Sequence, residues 1–277
     1  MLMDETMRTA AQKVHVNVPY RMLVEEKGLF DLFLSLTLNP ELGMDIPTLD
    51  TYDLAHFKKT AETFRRAGAR LTIHGPFEGV DPGSADATLR RSSERHLQRL
   101  TDAVAIIRPA SVVCHTGFQP NQQDGDFSGW LERSRRAWTE LAASFAALDT
   151  RLLLENVHEG SPAEMASLTH DIEHLGLCLD TGHLNAYGNG DLAGWVQTLG
   201  PLTEEVHLHD NHGTEDEHLP PGQGEIDFTP LCSLTRRRSL IITLEPHTRE
   251  DLPPALDFLL RHPDLLPRQP RGTRQWF

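Results

Sequence analysis

Two kinds of segment alternate along the chain. Short runs rich in Val, Ile and Leu predict eight β-strands, and longer stretches with apolar residues at helical spacing predict helices between them. The predicted strands are Val14–Val18, Phe33–Leu36, Leu71–His74, Ser111–His115, Leu152–Glu155, Leu177–Asp180, Glu205–His209 and Leu240–Glu245. The clearest predicted helices are Tyr52–Ala67, Asp86–Ile107, Gly129–Leu148, Pro162–His174, Asp191–Leu199 and Arg249–Arg261.

This alternation is typical of parallel strands joined by helices. The 277 residues suit one α/β barrel, which needs about 250. An open doubly wound sheet would usually carry a Gly-rich turn after its first strand, and Val18-Pro19-Tyr20 is not such a turn. No linker or internal repeat divides the chain. We therefore predict a single (β/α)8 TIM barrel over residues 1–277, with an irregular tail from about residue 262.

The amino-acid composition restricts the classes of partner that the chain can bind. The chain has 40 acidic and 26 basic residues and a net charge of −14, which disfavours a polyphosphate partner. Three scattered cysteines imply no disulfide framework, and no apolar run approaches the ~20 residues of a membrane span. The first residues are polar and carry no apolar stretch of the kind found in secretion signals, so we expect no such signal. We expect a cytoplasmic protein that acts on a small-molecule substrate and binds neither nucleic acid nor membranes. Its oligomeric state stays open.

Six successive predicted strands carry a His, Asp or Glu where they end. In a parallel barrel all these ends lie on one face, the face that carries active sites. Residues two apart share a side of a strand, so an inward His115 places Cys114 towards the helices. The residues at these ends, from strand three to strand eight, are His74, His115, Glu155, Asp180, His207 with His209 and Asp210, and Glu245.

So many imidazoles and carboxylates around one barrel mouth would be crowded and desolvated without cations. Imidazole combined with carboxylate suits zinc, manganese or iron. The loop after strand seven adds Asp216-x-His218, a pair able to ligate one ion, and Gly222 and Gly224 allow this loop to fold back across the mouth. We predict up to three divalent ions, with zinc favoured over manganese and iron.

From strand two to strand eight the chain resembles the xylose isomerase-like TIM-barrel superfamily, and within it the endonuclease IV (AP endonuclease family 2) group. The matching segments are His74-Gly75, the His115 strand end, Leu153-Leu154-Glu155-Asn156, Leu179-Asp180-Thr181-Gly182-His183, Val206-His207-Leu208 with Asp210, Asp216-x-His218-x3-Gly222-x-Gly224 and Leu244-Glu245-Pro246. Together these segments are specific, although each alone is weak.

The resemblance implies a three-metal cluster. A first site would consist of His74, His115 and Glu155, with Glu155 bridging to a second site that also contains Asp180, His207 and Glu245. A third site would consist of His183, Asp216 and His218. Such a cluster activates water and neutralises phosphoryl charge, and Glu155 would accept the proton. The implied activity is hydrolysis of a phosphoester or phosphodiester.

The chain departs from the endonuclease pattern at two positions. His209 stands where Asn is expected, and Gly182 stands where Cys is usual. The acidic balance favours a small or medium phosphorylated substrate over DNA. The segments His74-Gly75-Pro76-Phe77 and Asp81-Pro82-Gly83-Ser84 are similar to those of a bacterial branch that cleaves the phosphodiester of the cobamide nucleotide loop. Asn17, Tyr20, Phe77 and His209 are the predicted substrate contacts.

Two other functions stay open. In a sister branch of the superfamily, Glu155, Asp180, His207 and Glu245 bind a single ion, and Glu155 with Glu245 transfers a proton between sugar carbons. That resemblance implies a sugar or sugar-phosphate isomerase or epimerase, which needs neither Asp216 nor His218. A non-catalytic protein that only houses metal is the third possibility.

Overall fold

Eight parallel strands close into a barrel in chain order, with each strand paired to the next and the last paired to the first. The computed structural model describes residues 4–119 and 126–267. It confirms the predicted (β/α)8 TIM barrel. The strands are β1 (His15–Pro19), β2 (Asn39–Gly43), β3 (Thr72–His74), β4 (Ser111–His115), β5 (Arg151–Glu155), β6 (Leu175–Asp180), β7 (Thr203–Leu208) and β8 (Ile241–Leu244).

Helices surround the barrel, and their apolar faces pack on the strands. Several begin at an Asp or Ser that accepts a hydrogen bond from a backbone N–H of the first turn, as Asp86 does from Thr88 at 2.7 Å. The helices are α1 (Glu5–Ala11), α2 (Tyr20–Glu25), α3 (Leu29–Leu36), α4 (Ile46–Thr51), α5 (Leu54–Arg66), α6 (Ala87–Ile107), α7 (Phe127–Ala146), α8 (Pro162–Thr169), α9 (Thr181–Ala186), α10 (Leu192–Leu199), α11 (Thr229–Arg237) and α12 (Leu252–Arg261).

The second predicted strand was wrong. Residues 33–36 belong to helix α3, whose buried residues Leu29, Phe33 and Leu36 recur at helical spacing. Thr37 ends this helix in the left-handed conformation, with φ 53°. The second strand is instead Asn39–Gly43, in which Glu41 is fully buried. An apolar run too short to distinguish helix from strand caused the error, and it concealed a buried carboxylate.

The main core lies between the strands and the helices, and of the residues that the structure describes only a small apolar cluster of Val113, Leu153 and Cys178 occupies the lumen. Cys114 and Leu154 belong to the outer core, as strand alternation predicts. The rest of the lumen is polar. The barrel therefore has polar and ionisable side chains on its inside and packs apolar side chains against the helices on its outside.

No helix in the described part of the chain is long and apolar enough to cross a membrane. A short 3₁₀ turn, Pro263–Leu265, follows α12. The predicted irregular tail lies mostly outside the described residues, and the prediction that residues 1–277 form one domain stays a prediction.

Candidate metal centre

The carboxyl ends of strands β3 to β8 bring the predicted ligands to one mouth. Most of these side chains are buried, and His115, Asp216 and His218 are the partly exposed ones. Asp216 and His218 come from the loop after β7, and His183 lies in the first turn of α9. All nine predicted ligand residues lie in this cluster, which consists of His74, His115, Glu155, Asp180, His183, His207, Asp216, His218 and Glu245.

Glu155 lies between the first and second sites. Its Oε2 atom is 3.0 Å from Nε2 of His74 and 3.2 Å from Nε2 of His115. Its Oε1 atom is 3.1 Å from Nδ1 of His207. The two oxygens therefore face different sets of nitrogens, which is the arrangement expected of a bridging carboxylate.

The second site is centred on Nδ1 of His207. Besides Glu155, this nitrogen has Oε1 of Glu245 at 3.2 Å and Oδ2 of Asp180 at 3.7 Å. Donors around a tetrahedral ion at about 2.0–2.1 Å are about 3.4 Å apart, so these separations match the edges of such a donor set.

The third site is centred on Oδ2 of Asp216. This oxygen is 3.0 Å from Nε2 of His218 and 3.3 Å from Nε2 of His183. Both separations are again close to the edge of a tetrahedral donor set. The sites are adjacent, because Nδ1 of His183 is also 3.3 Å from Oε1 of Glu155.

Backbone carbonyls fix the orientation of three imidazoles. Nδ1 of His74 donates to the carbonyl of Gly75 at 2.9 Å, and Nδ1 of His183 donates to the carbonyl of Asn156 at 3.1 Å. Nδ1 of His218 contacts the carbonyl of Glu245 at 3.3 Å. A carbonyl can only accept, so each Nδ1 carries a hydrogen, and each Nε2 can offer its lone pair to an ion once any proton on it is lost.

His207 has the opposite orientation. Its Nδ1 faces the second site, and its Nε2 lies 3.2 Å from Oε1 of Glu41, inside the barrel. Asn17 donates a hydrogen bond to the same Glu41 oxygen at 2.8 Å. A carboxylate behind an imidazole is the usual support of a metal-ligating histidine.

Contacts between opposite charges determine the pKa values of the histidines and carboxylates in the cluster. Burial alone would lower the pKa of His74, but its hydrogen bond to Glu155 and the charge of that carboxylate raise it to about 9. The pKa of His218 also rises to about 9, because Asp216 and Glu245 outweigh its burial. Burial opposes ionisation of Glu155, yet the surrounding imidazoles hold its pKa well below the usual range. The cluster is therefore a dense set of positive and negative partners.

Three buried polar atoms in the cluster have no hydrogen-bond partner among the described residues: Nε2 of His207, Nδ1 of His209 and Oδ1 of Asp216. Several His, Asp and Glu triads have donor atoms within 4.8 Å of one another, for example Glu155, Asp180 and His183. Nε2 of His207 faces Glu41 rather than the second site, but Oδ1 of Asp216 belongs to a third-site ligand, and an unpaired buried carboxylate oxygen is costly without a further partner. The residues present therefore fit the divalent ions that their chemistry implies.

The predicted substrate contacts occupy three different environments. Phe77 is 47% exposed at the rim, where its ring stacks on His115 with centroids 4.8 Å apart. Tyr20 is not brought to the mouth, because it is buried and its hydroxyl shares a hydrogen bond with Thr60 at 2.9 Å. Asn17 and His209 lie beside the ligands, and His209 is only 1% exposed. Tyr187, also at the rim, is 42% exposed and stacks on His183.

Asp210 fixes the loop that carries the third-site ligands. Its Oδ2 accepts a hydrogen bond from the backbone of Gly222 at 2.8 Å, and its Oδ1 accepts from Ile226 at 3.1 Å. The backbone of Asp210 also pairs with Leu219 in an isolated antiparallel bridge. Gly222 has φ 85°, a conformation that favours glycine. Sequence reasoning noticed the glycines but not the role of Asp210 in anchoring them.

A closed parallel barrel with buried His, Glu and Asp clusters at its mouth defines the class of protein. Residues 32–262 match the family described as the xylose isomerase-like TIM barrel. The chain belongs to this family.

Individual relatives are distant. The chain is 26% identical over 182 residues to an uncharacterized protein of Methanocaldococcus jannaschii, and the alignment covers 62% of each chain, less than two thirds of that relative. It is 28% identical over 228 residues to a probable endonuclease 4 of Mycobacterium leprae, covering 77% of this chain and 82% of that one.

Solved structures give the same fold. A D-tagatose 3-epimerase-like protein has a TM-score of 0.76 at 21% identity, covering 91% of this chain and 97% of its own. A Thermus thermophilus protein soaked with ZnCl2 has a TM-score of 0.72 at 27% identity, covering 90% and 97%. Likeness to the epimerase-like protein shows the fold alone, so the choice between hydrolase and epimerase depends on the site.

Proposed function

We propose that this protein is a metal-dependent phosphodiesterase that hydrolyses a small or medium phosphodiester at a three-ion centre. The observation that carries the proposal is the assembled third site. Asp216 and His218 reach the mouth on a dedicated loop anchored by Asp210, and His183 completes the set within 3.3 Å. A single-ion isomerase has no use for this loop-borne pair.

Zinc, or manganese or iron in its place, would be held by the first, second and third sites and would neutralise phosphoryl charge and acidify water. Glu155 lies between the first two sites and is fully buried, which suits it to accept a proton from a nucleophilic water. Glu245 is 8% exposed at the edge of the second site and lines the approach to it. Phe77 and Tyr187 flank this approach and would contact the groups on either side of the phosphate.

The charge of the chain restricts the substrate. A net charge of −14 and a rim in which aromatic rings rather than basic side chains contact the ligand histidines disfavour duplex DNA. A small diester, of which a cobamide nucleotide loop is one example, is compatible with both the negative net charge and the aromatic rim. The distant similarity to a mycobacterial probable endonuclease 4 supports the hydrolytic chemistry rather than its substrate.

Metal counting and substitution of the third site test this proposal. Purified protein should contain up to three divalent ions by elemental analysis and should hydrolyse bis(p-nitrophenyl) phosphate in a chelator-sensitive manner. His218→Ala should remove one ion and most of the activity. His170→Asn, on an exposed side chain remote from the mouth, is the matched control. A His218→Ala protein with full activity and unchanged metal content would overturn the proposal.

A sugar isomerase or epimerase is the second candidate, because the second site is complete on its own. Glu155 and Glu245 both contact Nδ1 of His207, so one ion could be held between two potential proton-transfer groups. This function predicts solvent deuterium in a keto-sugar after incubation with the protein, and a His218→Ala protein that keeps its exchange rate. Absence of exchange across a broad sugar panel would exclude this candidate.

A further inference from the structure

Gly182 and His209 fill one volume between the second and third sites. A Cβ atom added at residue 182 would overlap the imidazole of His209, with Cε1, Nδ1 and Nε2 all inside van der Waals contact. The backbone of Gly182 lies in the first turn of α9 and has no left-handed φ. The glycine is therefore required by the ring of His209 rather than by backbone conformation. This explains why the two departures from the endonuclease pattern occur together.

The ring of His209 contacts acidic ligands of both sites. Its Nε2 atom lies 3.0 and 3.2 Å from the two oxygens of Asp180 and 3.5 Å from Oε2 of Glu245. Its Nδ1 atom faces Oδ1 of Asp216 at 3.5 Å, and neither of these two buried atoms has a hydrogen-bond partner within residues 4–119 and 126–267. One imidazole thus extends from a second-site carboxylate to a third-site carboxylate.

His209 also supports His218 directly. The two rings are parallel within 4°, and their centroids are 4.1 Å apart. The lone pair of an imidazole nitrogen lies in the ring plane, so two stacked rings direct their lone pairs into separate parallel planes. His209, His218 and Glu245 do bring ligand atoms within 4.8 Å of one another. Because the in-plane lone pairs of the two stacked rings do not converge on one point, we assign His209 as a neighbour of the third site rather than as a ligand that shares an ion with His218.

We propose that His209 is a positioning residue that holds Asp180, Asp216 and His218 in register, and that Gly182 is present to make room for it. The pair links the second and third sites through protein atoms. This inference rests on the metal-binding part of the proposed function and adds a specific role for a histidine outside the nine predicted ligands. Groups that support metal ligands typically change metal affinity by about 10- to 100-fold when removed.

Zinc retention tests the role of His209. The wild-type protein and the His209→Asn and His209→Gln variants are loaded with zinc, dialysed against a graded chelator and analysed for zinc content. Both variants should release the ions of the second and third sites at about 10- to 100-fold lower chelator strength than wild type. His170→Asn should behave as wild type. Using two substitutions keeps the test decisive if one variant fails to fold.

A double-mutant cycle tests the role of Gly182 by thermal unfolding. Gly182→Ala alone should lower the Tm, because its Cβ displaces the ring. Gly182→Ala combined with His209→Asn should recover most of that loss, because the shorter side chain leaves space, while zinc retention stays impaired. Strict additivity of the two changes would overturn the shared-volume argument.

The outcomes also separate this inference from the proposed function. Wild-type protein that retains no divalent ion would contradict both. Wild-type protein that retains its ions, together with His209 variants of unchanged zinc retention, would overturn the positioning role and leave the proposed function intact.

Discussion

Oε1 of Glu41 lies 3.2 Å from Nε2 of His207, beneath the mouth of the barrel. Glu41 is fully buried, and burial opposes its ionisation, but the charge of His207 and its contact with this imidazole lower the pKa of Glu41 to about 2. A charged carboxylate thus supports His207, whose Nδ1 faces the second site. Strand β2, absent from the predicted strand set, supplies this group.

Glu41→Gln should weaken zinc binding at the second site by about 10- to 100-fold, because the amide removes the charge that orients His207. Competition with a chromogenic chelator measures the change. Glu62→Gln, at a surface pair with Arg66, is the control and should retain wild-type affinity. Equal affinity of the Glu41→Gln and wild-type proteins would show that Glu41 does not support the site.

Zinc binding should release protons at neutral pH. In the metal-free protein the pKa values of His74 and His218 are raised to about 9, so both rings are protonated near pH 7 and must lose a proton to bind an ion. The apparent affinity should therefore rise with pH up to about 9. Calorimetry in buffers of different ionisation enthalpy measures the release, and a heat independent of the buffer would contradict it.

The same shifts set the stability of the metal-free protein. A histidine whose folded pKa is raised stabilises the fold below its unfolded pKa of 6.5, and the contribution is lost as pH rises through about 9. Metal-free protein should therefore lose unfolding free energy across this interval. Zinc-loaded protein should lose less, because bound ions replace the protons. Urea unfolding at several pH values, with and without zinc, makes the comparison.

Glu205→Gln should stabilise the metal-free protein at neutral and mildly alkaline pH. Burial raises the pKa of Glu205 to about 8, and the charge of Glu41 contributes. The folded state then keeps a proton that the unfolded state loses above about 4.5, so wild-type stability falls as pH rises between these values. The variant lacks this slope, and its amide can still hydrogen-bond Ser111 and Thr243. Denaturant midpoints that fall equally in both proteins would refute the prediction.

Asp210→Asn should loosen the third site while leaving the barrel folded. The carboxylate accepts hydrogen bonds from the backbones of Gly222 and Ile226, and an amide keeps only one acceptor oxygen. We expect loss of one zinc ion under mild chelation and faster hydrogen exchange at Leu219. Asp227→Asn, whose side chain caps the nearby turn at Thr229, controls for general loosening of the region. Full retention of zinc by Asp210→Asn would contradict the anchoring role.

Strands β4, β5 and β6 were predictable because their interior residues are apolar or glycine and their ionisable groups stand only at the strand ends. Strand β4, Ser111–His115, has its predicted bounds. Helix bounds were less accurate where turns intervene. The helix predicted from Pro162 to His174 ends at Thr169, since Asp171 and His174 adopt left-handed φ values of 60° and 65°. Local conformations of this kind leave little trace in hydrophobic spacing.

The metal-ligand residues of the candidate site could be predicted from the sequence, since parallel strands bring their carboxyl ends to one face. The residues that support these ligands could not be predicted. Glu41 lies in Asn39–Gly43, a strand with a proline, a glycine and a buried charge, and its amino acids resemble a turn. The ring of His209 between two sites was equally hidden, because only three-dimensional packing shows that Gly182 lacks room for a side chain.

In the described part of the chain the apolar cluster in the lumen comprises Val113, Leu153 and Cys178, whereas the outer core includes residues of nearly every helix. The outward-facing side chains of the strands thus stabilise the fold, whereas the inward-facing side chains of the same strands form the candidate site. Substitution of inward-facing side chains leaves the outer core in place, and the fold itself is shared with a solved structure at 21% identity. New activities in this barrel would then arise by exchange of inward-facing side chains, at small cost to folding.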